Sequence, residues 1–89
     1  MVESALSHYI RNDMIVVYAK WKGNDGKFHA FDLENGVPAG NIINASTYRD
    51  DQLNVASEEM QKLCDKYAHI DFKVQLRADD NKKVLWESA

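Results

Sequence analysis

The sequence contains little of what a secreted scaffold or a membrane protein depends on. Its 89 residues include one cysteine, Cys64, so no disulfide can form within the chain, which favours a reducing compartment. The longest purely apolar run, residues 14–19, is too short to cross a bilayer. Residues 1–4 lack the basic region and apolar run of a secretory signal. We therefore expect a cytoplasmic protein that makes no contact with a membrane.

An excess of positive charge is also missing. The 11 Lys and Arg residues stand against 14 Asp and Glu residues, so the formal net charge is -3. Hydrophobic residues make up 45% of the chain and charged residues 28%, which is ordinary for a globular protein and argues against disorder. The length allows one small domain, and we expect residues 1–89 to form a single α+β domain.

No motif for catalysis, a metal or a cofactor is visible. Each histidine lacks a nucleophile or a carboxylate at a useful spacing, and the three are His8, His29 and His69. His29 and Asp32 are three residues apart on a predicted strand, so their side chains point to opposite faces. Asp65 and His69 share a helical face but have no third ligand, as zinc requires. We expect no catalytic residue, no metal site and no cofactor; residues 35–41, although they include two glycines, match no nucleotide-binding fingerprint.

The spacing of apolar residues divides the first part of the chain into a helix and a hairpin. Residues 2–11 place apolar side chains three and four apart, which predicts a short helix. Residues 14–21 and 28–33 are rich in β-branched and aromatic residues, which predicts two strands. Between them, residues 23–26 (Gly-Asn-Asp-Gly) are typical of a type I turn followed by a glycine with positive φ.

The length of this turn decides which side chains of the hairpin share a face. A bulged turn groups a large apolar set on one side, namely Val17, Ala19, Trp21, His29, Phe31 and Leu33. A shorter or longer turn would instead group Phe31 and Leu33 with Val16 and Tyr18. We favour the bulged turn because it collects the larger apolar set. The second face still carries apolar side chains, so we expect the first helix or another subunit to cover part of it.

Two further segments are a loop and a second hairpin. Residues 34–46 contain two glycines and the only proline and show no periodicity, which predicts a loop. We expect Ile42 or Ile43 of this loop to be buried in the core.

Residues 71–78 alternate apolar and polar side chains, which predicts a half-buried strand, and residues 83–87 predict its hairpin partner.

The strongest helix signal covers residues 47–68. Thr47 followed by Asp50 resembles a capping box, which predicts that the helix begins there. An apolar stripe follows at alternating spacings of three and four, formed by Leu53, Ala56, Met60, Leu63 and Tyr67. Cys64 lies beside this stripe and is expected to be a small buried hydrophobic residue.

The order of elements is therefore α-β-β-α-β-β. This order predicts the α+β class, with an antiparallel sheet of about four strands and one main helix packed on one of its faces. One helix cannot cover both faces of such a sheet, and an apolar patch that stays uncovered is typical of an interface.

The first hairpin carries the pattern most typical of a binding surface. Basic and aromatic residues alternate around its turn, and the candidate interaction surface consists of Lys20, Trp21, Lys22, Lys27, Phe28 and His29. Aromatic anchors ringed by charge are the usual composition of a binding hot spot. We therefore expect a non-enzymatic module that binds another protein, or itself as a homodimer, and that regulates or inhibits by occupying a surface.

Two other functions stay open at this point. The same lysines and aromatic rings could hold the phosphates and unpaired bases of a single-stranded nucleic acid. The acidic balance of the whole chain argues against this, and lysine is also a common residue of exposed edge strands. A small enzyme is the third possibility, because an active site can assemble from residues that are distant in sequence.

Overall fold

The structure, a computed structural model, describes residues 14–40 and 44–89. Its strands and single helix are, in chain order, β1 (Met14–Lys20), β2 (His29–Asp32), β3 (Val37–Pro38), β4 (Thr47–Arg49), α1 (Leu53–Lys66), β5 (Lys73–Ala78) and β6 (Val84–Glu87). Short 3-10 turns at Asp50–Gln52 and Ala68–Ile70 flank α1. The predicted α+β class is confirmed. The predicted helix over residues 2–11 lies outside the described residues, as do Ile42 and Ile43.

Strand β1 is the centre of a six-stranded antiparallel sheet. One edge of β1 pairs with β5 over residues 15–20. The other edge is shared, because β4 pairs with residues 14–16 and β2 pairs with residues 18–19. Strand β3 extends the sheet beyond β2, and β6 extends it beyond β5. The sheet has more strands than expected because β3 and β4 form in segments predicted as a loop and as the start of a helix.

Ser46 bridges the gap between β2 and β4 along the edge of β1. Its carbonyl accepts a hydrogen bond from the Val17 N–H at 3.0 Å, and its own N–H donates to the Phe31 carbonyl at 2.8 Å. Its hydroxyl accepts a hydrogen bond from the Leu33 N–H at 2.8 Å. These bonds supply partners to backbone groups at the point where β1 and β2 separate, and buried backbone groups need such partners.

The predicted capping box at Thr47 is wrong. Thr47 belongs to β4, where it lies opposite Val16 of β1. Helix α1 begins only at Leu53, and the side-chain carbonyl of Gln52 accepts a hydrogen bond from the Arg49 N–H at 3.3 Å. The strand forms because its partner, β1, is distant in sequence, and a local pattern of capping residues carries no information about such a partner.

The hairpin of β1 and β2 has the facing that the bulged turn predicts. Ala19 lies opposite His29, so the odd-numbered side chains of both strands share one face. The main core lies on that face, and its buried members are Ile15, Val17, Ala19, Phe31, Ala56, Met60, Cys64, Phe72, Val74 and Leu76. On the other face, Val16 and Tyr18 are buried with Ala45. Strand β1 is thus buried on both faces, which explains its continuous apolar run.

Helix α1 packs on the face of the sheet that carries the main core. Ala56, Met60 and Cys64 are buried, so the predicted stripe is confirmed at its centre and Cys64 belongs to it. Leu53 and Leu63 are half-buried and pack against the same core from its margins. Among the described residues, no helix is long and apolar enough to cross a membrane.

We expect the substitution Met60→Ala to lower the free energy of unfolding by about 2–5 kcal/mol, because it leaves a cavity where the side chain is now 4% exposed. Leu63→Ala should cost less, since Leu63 is only half-buried. Urea unfolding followed by circular dichroism measures both values. Glu58→Ala, on the exposed surface of α1, is the control and should change stability by less than about 0.5 kcal/mol. Equal losses for the two apolar variants would contradict this order of burial.

Candidate functional site

The connection between β1 and β2 is held in shape by side chains of its own turn. The Asn24 side-chain carbonyl accepts a hydrogen bond from the Gly26 N–H at 2.9 Å, and the Asn24 N–H donates to the Trp21 carbonyl at 3.2 Å. Gly23 and Gly26 have φ angles of 106° and 80°, which side-chain-bearing residues rarely adopt. The positive φ predicted for Gly26 is confirmed, but the backbone hydrogen bond of the turn joins Asn24 to Trp21, which puts Lys22 and Gly23 at its centre in place of the predicted Asn24 and Asp25.

His29 has a structural partner in this turn. Its Nε2 lies 2.8 Å from Asp25 Oδ2, and both side chains are about half exposed, at 45% and 52%. The Lys27 N–H donates to Asp25 Oδ1 at 2.9 Å. That backbone hydrogen bond, followed by the contact with His29, lowers the pKa of the Asp25 carboxyl. Asp32 is the carboxylate that the sequence places three residues after His29. Its Oδ2 accepts a hydrogen bond from the Asn35 side chain at 2.7 Å.

The indole ring of Trp21 packs where β1 ends. Its centroid lies 5.5 Å from that of Phe31 in an edge-to-face contact and 6.2 Å from that of Phe72 in a stacked contact. The next residue, Lys22, donates its N–H to the Ile70 carbonyl at 2.6 Å and so ties the hairpin to the turn that follows α1. Trp21 is therefore anchored through its ring and through its neighbour's backbone, yet it is only half-buried.

Beside Trp21, the described residues enclose an apolar cavity of ≈ 350 Å³, which we call the aromatic pocket. Its lining residues are Trp21, Phe31, Leu33, Gly36, Leu63, Tyr67, Ile70 and Phe72. Tyr67, at the end of α1, is 37% exposed, and Gly36 is also exposed, so the rim reaches the protein surface. The pocket thus lies between the end of α1, the end of β1 and the segment that joins β2 to β3.

A second cavity of ≈ 380 Å³ shares Trp21 with the aromatic pocket, and we call it the lysine groove. Its lining residues are Lys20, Trp21, Lys22, Gly26, Asp71 and Lys73. Lys20 and Lys73 are directly opposite each other on β1 and β5, and like charges in that position repel. Asp71, which has a φ of 53°, is the single acidic residue in this lining.

Phe28 lies on the opposite face of the hairpin from Trp21, as the bulged turn predicts. The Lys20 ammonium lies 4.9 Å from the centre of the Phe28 ring. The Arg77 guanidinium lies 4.2 Å from the centre of the Tyr18 ring, and Tyr18 itself is only 8% exposed. Both rings of this face are therefore in contact with a cation of the same chain.

The structure brings part of the predicted surface together. Lys20, Trp21 and Lys22 line the lysine groove. Phe28 packs on the second face and contacts only Lys20 of these three, while Lys27 and His29 are exposed at the turn.

Sequence reasoning missed the residues that complete the aromatic pocket. The sequence predicts helix, strand or loop roles for five of the six and none for Ile70; the six are Leu33, Gly36, Leu63, Tyr67, Ile70 and Phe72. Their apolar character was visible in the sequence. Nothing in a local pattern distinguishes a side chain that fills a core from one that lines a cavity beside it.

Comparison of the chain with protein-family models, with curated proteins and with solved structures finds no match. In the part of the chain that the structure describes, no group of three or more His, Cys, Asp or Glu side chains is arranged to hold a metal ion.

Cys64, the single cysteine of the chain, is buried as expected. Burial raises the pKa of its thiol, and this outweighs the opposing effects of the Ser88 side chain and the charge of Lys73. A thiol is unreactive in its protonated form, because the thiolate is the nucleophile.

We therefore expect Cys64 to react slowly with a neutral thiol reagent in the folded protein and rapidly in denaturant. The physical reason is that both access and thiolate fraction are low in the native state. Labelling followed by intact-mass spectrometry gives the two rates, with a small free thiol at the same pH as the reference. A native rate equal to that of the reference would contradict the assignment of Cys64 to the core.

Proposed function

We propose that the protein is a small cytoplasmic module without enzymatic activity that binds another protein through the aromatic pocket and the lysine groove. The observation that carries this proposal is the apolar cavity walled by Trp21 at the protein surface. Its action would be occupancy, in which the bound partner is recruited or blocked and no bond is made or broken. The proposal keeps the predicted binding role and moves its centre from the hairpin turn to Trp21 and the pocket behind it.

The residue types of the pocket are those that carry binding energy in protein interfaces. Trp21 and Tyr67 are large rigid side chains, and such residues dominate interaction hot spots. A partner side chain that fills the cavity would remove its own apolar surface from water, a gain of about 1.5–3 kcal/mol for one large aliphatic or aromatic group. The surrounding pocket is already shaped by ring contacts at 5.5–6.2 Å, so little ordering has to accompany binding.

The alternative of single-stranded nucleic-acid binding has less support. Stacking on bases needs ring faces that are free, and Tyr18 is 8% exposed with Arg77 over its ring. Phe28 has the Lys20 ammonium over its ring at 4.9 Å. Trp21 stacks against Phe72 within the same chain. Each of these rings thus has a face in contact with another side chain of the same protein, which leaves less aromatic surface for an unpaired base.

A photo-crosslinking side chain at the rim of the pocket tests the proposed function. We expect Tyr67→p-benzoylphenylalanine, exposed to light in a lysate of the native source, to yield one reproducible protein adduct, because residue 67 borders the cavity and is 37% exposed. The control is Val55→p-benzoylphenylalanine, which lies about 18 Å further back along α1 and is 49% exposed. Mass spectrometry of the adducts identifies what has been captured.

The identity of the adduct separates the candidate partners. A heterologous protein at position 67 and not at position 55 supports the proposal, and an adduct of twice the chain mass assigns the partner as a second copy. A nucleic-acid adduct at position 67 would transfer the site to the rival function. The same products from both positions, or none from position 67, would contradict binding through the pocket.

A further inference from the structure

We propose that the lysine groove and the aromatic pocket together recognise one peptide segment, in which an apolar anchor side chain is next to acidic side chains. The anchor would enter the aromatic pocket, and the carboxylates would lie along Lys20, Lys22 and Lys73. This inference rests on the proposed function and gives the chemical class of the partner.

The position of Trp21 between the two cavities sets the path of the peptide. Trp21 lines both, but Lys20 and Lys73 belong to the face of the sheet opposite the aromatic pocket, so the peptide would pass around the end of β1. An extended peptide advances about 3.3 Å per residue, so a carboxylate two residues from the anchor stands about 7 Å from it along the chain. A segment with acidic residues on both sides of an apolar anchor can therefore contact both cavities.

The charge of the groove favours an acidic segment over a neutral or basic one. Three lysines line it against one acidic residue, Asp71, although the whole chain has a formal net charge of -3. Lys20 and Lys73 are cross-strand neighbours, so their repulsion is built into the pairing of β1 and β5. Within residues 14–40 and 44–89, none of the three lysines forms an ion pair with a carboxylate. A carboxylate of the partner would relieve this repulsion.

The size of the pocket favours a single anchor side chain. Its volume of ≈ 350 Å³ is at the lower end of the range of about 300–1,000 Å³ that ligand sites occupy. The walls are rings and aliphatic groups, and edge-to-face contacts with a further ring are favourable in such surroundings. Phenylalanine or leucine is therefore the expected anchor.

The test uses four synthetic peptides that differ only in anchor and flanks. The reference is acetyl-Glu-Glu-Phe-Glu-Glu-amide, and its relatives replace the Glu residues with Gln, replace them with Lys, or replace Phe with Ala. Binding is followed by the indole N–H signal of Trp21 in nuclear magnetic resonance spectra, with the indole of Trp86 on β6 as the internal control. We expect the Glu peptide to bind about tenfold more tightly than the Gln peptide at low salt, and this advantage to shrink as salt screens the charges.

Charge reversal in the groove provides the matched protein variants. In the double variant Lys22→Glu with Lys73→Glu, the Glu peptide should lose its advantage and the Lys peptide should gain one. Lys73→Glu places a carboxylate opposite Lys20, so the sheet should remain folded, and a thermal melt checks this. Lys83→Glu, in the turn between β5 and β6 at the far end of the sheet, makes the same change of charge and should leave all four affinities unchanged.

Each failure has a distinct meaning. Equal affinities for the Glu and Gln peptides would overturn the acidic part of the inference, and equal affinities for the Phe and Ala anchors would overturn the anchor. If no peptide shifts the Trp21 signal while position 67 still crosslinks a protein, the peptide class is wrong and the proposed function stands. If position 67 also captures nothing, the proposed function itself has failed.

Discussion

The complete burial of β1 is the constraint on which the rest of the structure depends. Residues 15–19 are buried on both faces, so every backbone N–H and C=O along them needs a partner within the protein. Strand β5 supplies partners along one edge. On the other edge β4 covers one end and β2 the other, and Ser46 joins them by accepting a hydrogen bond from the Val17 N–H. The chain between β2 and β4 must therefore leave this edge and return to it.

The aromatic pocket forms where β1 and α1 end. Strand β1 ends at Lys20 and α1 ends at Lys66, so the layer of helix on sheet has no further helical turn to cover Trp21. Helix α1 has 14 residues, a length of about 21 Å, and it covers the middle of the sheet. The turn at Ala68–Ile70 bends back and is tied to Lys22 through the Ile70 carbonyl. The rings at this end are held in place, and a cavity stays between them.

Most of the fold could be predicted from local patterns, and the failures share one cause. The alternation of residues 71–78 and the stripe around Met60 located β5 and α1, and the Gly-Asn-Asp-Gly turn predicted the facing of the first hairpin. The local pattern at Thr47 predicts a helix, because the pairing of Thr47 with Val16 joins segments that are distant in sequence and leaves no local signal. The candidate site was predicted in part for the same reason: Trp21, Lys20 and Lys22 are neighbours in sequence, whereas most of the other lining residues come from β2, its connection to β3, the end of α1 and the segment between α1 and β5.

In the lysine groove, the residues of one cross-strand pair are not those that would stabilise the sheet most. Opposite charges at the Lys20–Lys73 pair would stabilise the sheet. Instead, the two residues place like charges next to each other in a groove that a half-buried tryptophan also lines. Natural sequences are locally consistent except where a position serves something other than stability. Repulsion that a partner's carboxylate could relieve, near a cavity that a partner's side chain could fill, is the physical basis on which we propose that this end of the sheet binds a partner.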